Sequence, residues 1–334
     1  PELPATTLAE SCYRGMFISC YALSEAPVLP ATKLKRICYA EMFSFCKNLI
    51  KAPTLPATAI DELSYWCMFR GCSKMEQTPE LPATTLAYGC YSAMFENCTS
   101  LVQAPMLPAT DLHMRCYDNM FKGCSKMEKA PELPSTTLAE GCYDLMFKDC
   151  TSLTKAPVLP ATTLKNECYE SMFAGCSKLK EITMLATDIT ANNCLSNWVE
   201  GVSTTGTFIK SPQMTSLPTG ASGIPLQWNL KDYTLNDETT LSFPITLVEG
   251  DNGELGIRLY NYLIEKYDSS QPHELEEEIY APHYDYVSKV IWIRTINQTW
   301  GLSPTGYGIG LSFTSQTGVS LSETGECHFW SREK

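Results

Sequence analysis

The chain has 334 residues, a formal charge of −12, 44% hydrophobic and only 19% charged residues, with a mean hydropathy of −0.13. That balance excludes a disordered polyelectrolyte, and the length suggests about two domains. The acidic excess argues against nucleic acid as a partner, and no run reaches the roughly 18 apolar residues of a spanning helix, so no transmembrane segment is expected.

The chain starts at Pro1 without a methionine or a charged, apolar leader, which leads to the expectation that a signal segment or upstream sequence has been removed. Net charge is −3 over residues 1–232 and −9 over 233–334, and 15 of the 16 cysteines precede residue 195. This shift places a domain boundary near residue 230.

The first part is organised by a repeat. Leu-Pro recurs at Leu3-Pro4, Leu29-Pro30, Leu55-Pro56, Leu81-Pro82, Leu107-Pro108, Leu133-Pro134 and Leu159-Pro160, always 26 residues apart, with a decayed eighth copy at Leu185-Ala186. Tyrosine fills one column from Tyr13 to Tyr169, and a Met-Phe pair fills another from Met16-Phe17 to Met172-Phe173. A period between 20 and 50 residues means stacked coils. Within one coil, 153–159 alternates loosely, as a short strand does. Leu164, Cys168, Met172 and Cys176 then recur every fourth residue, the spacing of one helix face or of successive tight helical turns. Each coil is therefore expected to be a strand, a corner at Pro160 and a helical return. A single coil cannot bury its Leu, Met, Phe and Cys face alone, so stacking on neighbours must do so.

The pattern Leu-Pro-Ala-Thr-Thr-Leu-Ala, Cys-Tyr, Met-Phe, Gly-Cys and Ala-Pro, best seen over 133–157 and 81–105, resembles the BspA-type leucine-rich repeats of Bacteroidales surface proteins. The stretch from Gly206 to Trp228 resembles the tail that closes such arrays. The resemblance covers about residues 1–230. It implies surface-exposed binding or adhesion, and localisation at the cell surface or by secretion, with an outer-membrane lipoprotein as one form. Ser64 in place of a cysteine, the Trp66-Cys67 pair and the lost proline of the last repeat depart from the pattern.

Fourteen cysteines form two columns, one from Cys12 to Cys194 and one from Cys20 to Cys176. Eight residues separate the two within a coil, about 12 Å along a helix, too far for a disulfide. Between coils the Cβ vectors of one column run parallel. No Cys-x2-Cys framework with histidine suggests zinc. Free buried thiols acting as small apolar spacers are the reading, against a disulfide ladder or metal sites. The Tyr and Met-Phe columns read as a packed spine, not a cofactor site, and no cofactor is expected.

The informative positions vary from coil to coil on either side of the strand. They give a candidate binding face of Glu76, Gln77, Glu80, Val102, Gln103, Met106, Glu128, Lys129, Glu132, Thr154, Lys155 and Val158. Mixed chemistry over an extended surface suits a macromolecular partner, protein or glycan, better than a small molecule; a merely solvated face is the alternative. No His-Glu-x-x-His, Gly-x-Ser-x-Gly, P-loop or Gly-x-Gly-x-x-Gly before a helix is present, so no enzymatic activity is expected. Gly306 to Gly310 lies among strand-like residues, and His273 beside Glu274 and 276–278 reads as a solvated charge run more than a cation site.

Residues 231–334 read as a separate α+β domain, with strands expected over 241–248, 287–296, 307–314 and 326–331 and an amphipathic helix over 254–267. Trp292, Trp300 and Trp330 read as core packing, with a sugar-stacking platform as the alternative. The whole is an α/β repeat solenoid of about eight 26-residue repeats over 1–230, right-handed, with its strands on one face, followed by a small α+β accessory domain. Its expected function is a non-enzymatic surface or secreted adhesion scaffold. The alternative is a glycan-binding C-terminal module with the repeats as a spacer.

Overall fold

The computed structural model describes residues 3–233 and, beyond them, the backbone of four strands between 245 and 293. The chain divides into two compact units, Pro1–Tyr233 and Thr234–Lys334.

In the first unit, neighbouring coils are joined in parallel at the segment before each Leu-Pro, before residue 155 by isolated bridges only. Single bridges join Glu25 to Lys51, Lys51 to Gln77 and Gln103 to Lys129. The ladder then thickens into a four-stranded parallel sheet in the order β1 (Lys155–Leu159), β2 (Glu181–Met184), β3 (Thr207–Lys210) and β4 (Asn229–Asp232). The ladder continues past the decayed repeat: the tail from Gly206 to Trp228 supplies β3 and leads into β4, so it forms a further coil and rung. Gly206 is needed there, because a Cβ would stand 2.5 Å from the Lys180 carbonyl oxygen and 2.7 Å from the Trp228 ring.

The expected helical return is absent. No helix occurs among the described residues; the return is a chain of tight turns. Ile37, Glu41 and Phe45 have φ of +62°, +57° and +60°, and the same left-handed residue recurs every fourth position in the other coils. Alternate N–H groups close turns within the coil, as Met42 to the Tyr39 carbonyl (3.2 Å) and Ser44 to that of Glu41 (3.0 Å). Those between reach the next coil, as Tyr39 to the Ser64 carbonyl (2.9 Å) and Phe43 to that of Met68 (2.9 Å). A period of four residues is thus produced by the turns themselves, and it imitates a helix face in the sequence. A left-handed residue other than glycine costs about 1–2 kcal/mol. The inter-coil hydrogen bonds, at about 0.5–1.5 kcal/mol each, and the burial they permit offset it.

Stacking buries the expected columns from the second coil on; in the first, Met16 and Cys20 are exposed and Cys12, Tyr13 and Phe17 half-buried. Tyr13 to Tyr169 form a ladder with ring centroids 5.6–6.1 Å apart, and Phe17 to Phe173 one with centroids 5.5–5.8 Å apart. Parallel strands, regular stacking and the two aromatic ladders are compatible with a repeat solenoid. Trp198 ends the Phe ladder, tilted 56° to Phe173 and edge-on to Phe208, with its indole N–H donating to the Gly223 carbonyl at 2.8 Å.

The coils also alternate in pairs. A Cβ on Gly123 would fall 2.2 Å from Asn97 Oδ1 of the preceding coil, and one on Gly141 would fall 3.2 Å from Arg115 Cγ. Phe45 lies over Gly71, Leu63 over Gly89 and Asp149 over Gly175 in the same manner. A side chain on one coil fills the space that a glycine leaves on the next, so the packing period is two coils.

In the second unit an antiparallel sheet runs in the order β5 (Ile245–Glu249), β6 (Leu255–Leu259), β8 (Val290–Ile293), β7 (His283–Asp285). The helix expected over 254–267 is corrected at 255–259, where the chain is strand β6 paired with both β5 and β8. The residues from 260 to 267, the strands expected over 307–314 and 326–331, His273 and its glutamates, Gly306 to Gly310, Trp300 and Trp330 lie outside the described residues.

Candidate binding face on the strand side

Each strand segment alternates buried anchors with outward positions. Leu101, Ala104 and Leu107 are buried while Val102, Gln103 and Met106 are exposed; Met127 and Leu133 anchor Glu128, Lys129 and Glu132 in the same way. The anchors join the buried core with the aromatic ladders, and the side chains between them point outward. All twelve candidate residues lie on this side. Glu76, Gln77, Glu80, Val102, Gln103, Met106, Glu128, Lys129, Glu132, Thr154 and Lys155 are exposed, and Val158, inside β1, is half-buried.

Backbone pairing brings them side by side. The Glu76 N–H donates to the Ile50 carbonyl (2.9 Å) and the Glu128 N–H to that of Val102 (3.0 Å), while the Lys180 N–H donates to that of Thr154 (2.9 Å). Gln103 stands opposite Lys129. Lys155 stands opposite Glu181, and its Nζ lies 2.8 Å from the Glu181 carboxylate. On this face neighbouring rungs carry different chemistry.

The thiol columns are more than spacers. The Sγ of Cys46, Cys72, Cys98, Cys124, Cys150 and Cys176 each donates to the carbonyl of the Phe 29 residues earlier, at 3.0–3.2 Å. Cys38 Sγ accepts from the Lys35 N–H and donates to the Ala9 carbonyl, both at 3.2 Å. Ser64 takes the same place, accepting from the Asp61 N–H at 3.0 Å and donating to the Asp61 carbonyl at 2.5 Å, with the Lys35 carbonyl at 3.5 Å. Serine can stand in a cysteine column because the column needs a small donor and acceptor. Every described cysteine is free. Burial pushes the Cys67, Cys90 and Cys168 thiols up to about 12, and Cys46 to about 11, so these thiols are poor nucleophiles at neutral pH. Among the described residues no group of three or more His, Cys, Asp or Glu side chains could hold a metal ion.

The turn side carries a row of ion pairs that the repeat pattern does not reveal. Arg14 meets Glu41 at 3.1 Å, Arg36 bridges Glu10 and Glu62 at 2.8 and 3.3 Å, and Glu96 lies between Arg70 (2.8 Å) and Lys122 (3.5 Å). Arg115 contacts Asp118, Asp144 and Glu167 at 3.7, 3.4 and 2.6 Å. Asp118 and Asp144 occupy equivalent places in successive coils. Burial, then the Asp118 charge, pushes the Asp144 carboxyl up to about 7; burial pushes Asp118 up to about 6. The sequence signal for this row was acidic residues 26 apart at 118, 144 and 170, outside the strand-flanking columns.

The fold and this face define a repeat protein whose buried positions are uniform and whose exposed strand-side positions vary. No protein-family model, curated protein or solved structure matches the chain. Among the described residues no helix is long and apolar enough to cross a membrane.

Proposed function

We propose that this protein is a non-enzymatic binding scaffold, a right-handed leucine-rich-repeat solenoid of the BspA type, that recognises macromolecular partners at the cell surface or after secretion. Recognition would occur through the strand-side face, by preformed shape and many weak contacts over several coils. The observation that supports this is the contrast between uniform buried columns and the exposed run from Glu76 to Lys155, where neighbouring rungs differ in chemistry.

The test is a screen of the full chain against host matrix proteins and a glycan array. Any ligand found is then tested on a variant with Gln77, Gln103 and Lys129 all changed to Ala, and on a control carrying Glu10→Ala, Arg36→Ala and Glu62→Ala on the turn side. The strand-side variant is expected to lose at least tenfold in affinity and the control to lose less than twofold. A ligand held equally by both would remove the strand-side face as the site and direct attention to residues 231–334.

A further inference from the structure

The exposed chemistry of three successive rungs is striped. Glu76 and Glu80 form one rung, Val102 and Met106 the next, and Glu128 and Glu132 the third. Val102 and Met106 are each 47% exposed, an apolar patch with acidic groups on both sides. These four glutamates form no ion pair among the described residues. On the turn side, Glu10, Glu41, Glu62, Glu96 and Glu167 are all paired with arginine or lysine. The nearby cations are Lys129, exposed on the third rung itself, Lys74 and Lys126, each set apart from the following glutamate by a buried methionine, and Lys155, whose charge acts on Glu132 while its Nζ is held 2.8 Å from the Glu181 carboxylate. The five turn-side carboxylates are neutralised by ion pairs within the protein, and the four of the stripe, with no ion pair of their own, are left for a cation from outside.

We infer that this stripe, Glu76 and Glu80, Val102 and Met106, Glu128 and Glu132, is a docking surface for a cationic segment of a partner polypeptide. This rests on the strand-side reading above and names the occupant. Parallel strands lie about 4.8 Å apart, so the two acidic rungs are separated by about 10 Å. An extended segment in the polyproline II conformation returns to the same side every three residues, about 9.3 Å further on. Arginines three residues apart therefore meet one acidic rung each, and their methylene stems lie across Val102 and Met106. Unpaired surface charges steer and orient such a partner, and burying the apolar rung slows its release.

The probe is a fluorescein-labelled nine-residue peptide with arginine at every third position and leucine and proline between, titrated into the full chain and read by anisotropy. A peptide with glutamine for each arginine is the control. The arginine peptide is expected to bind at least tenfold more tightly than the control and to weaken at least tenfold between 50 and 500 mM salt. Changing Glu76, Glu80, Glu128 and Glu132 together to Gln should cost at least tenfold, and Val102→Ser with Met106→Ser about fivefold, with unchanged circular dichroism. Equal binding of the two peptides, or an unaffected Gln variant, overturns the inference. If that happens while the strand-side alanine variant still loses a screened ligand, the occupant is wrong and the face is right; failure of both removes the face as well.

Discussion

At the scale of single residues, the Tyr column shows how the stack treats a polar atom. Tyr91 is 1% exposed, between the rings of Tyr65 and Tyr117 at 5.6 and 5.7 Å, and its hydroxyl is buried without a hydrogen-bond partner. The ring contributes apolar burial and stacking, and the unpaired hydroxyl carries a desolvation cost. Tyr91→Phe is therefore expected to leave stability unchanged or raise it by up to about 1 kcal/mol, while Tyr91→Ala should cost about 3–5 kcal/mol. Urea unfolding midpoints check both, and a clear loss in the Phe variant would show that the hydroxyl is satisfied. The sequence revealed this column fully, because an invariant aromatic at a fixed period has only its own copies to pack against. The partners of the thiols were hidden, since a carbonyl 29 residues earlier becomes a neighbour only once the coils are stacked.

At the scale of an element, the turn segment that returns each coil sets the electrostatics of the other side. Asp144 faces Asp118, Glu167 and Glu170 as well as Arg115, and its Oδ1 is buried without a partner. Its carboxyl is raised in the folded protein to about 7 from an ordinary value near 3.8. The folded state therefore holds this proton more tightly than the unfolded chain does. The resulting stability is fully present below about pH 4 and is lost as pH rises through about 7. Asp144→Asn should raise the melting temperature by about 3 °C or more at pH 8 and change it little at pH 4. Thermal melts across that range provide the measurement, and a variant destabilised at pH 8 would show that the pair with Arg115 outweighs the burial. The segment was also where the sequence misled: Leu164, Cys168, Met172 and Cys176 have helical spacing, and the left-handed residues Glu167, Ser171 and Gly175 produce the same spacing by turns.

At the scale of the whole array, stability is a sum of contacts between neighbouring coils, so the end of the stack matters as much as its middle. Trp198 is fully buried, closes the Phe ladder and ties its coil to the tail through Gly223. Trp198→Ala should cost about 3–5 kcal/mol. The loss should be local, with amide exchange accelerating first over β2 and β3 and least around the coils of Tyr65 and Tyr91. Uniform acceleration over the array would instead show that it unfolds as one cooperative body. The sequence marked the last repeat as decayed and its tail as closing. It did not show that the tail supplies β3 and leads into β4, because Thr207–Lys210 and Asn229–Asp232 share no motif with the repeats and join the ladder only by backbone pairing.

By itself the sequence determined the period, the buried columns and the strand-side set of variable residues. These follow from local rules: each coil meets a near-copy of itself, and outward positions on a strand alternate with inward ones. Only the tertiary structure decided the rest. Whether a four-residue spacing becomes a helix or a chain of turns depends on where half of the N–H groups find acceptors, and those acceptors lie on the next coil. The pairing of Arg115 with Asp144 and of glycines with the side chains above them depends on coil-to-coil stacking in the same way, because those contacts join residues a full repeat or more apart.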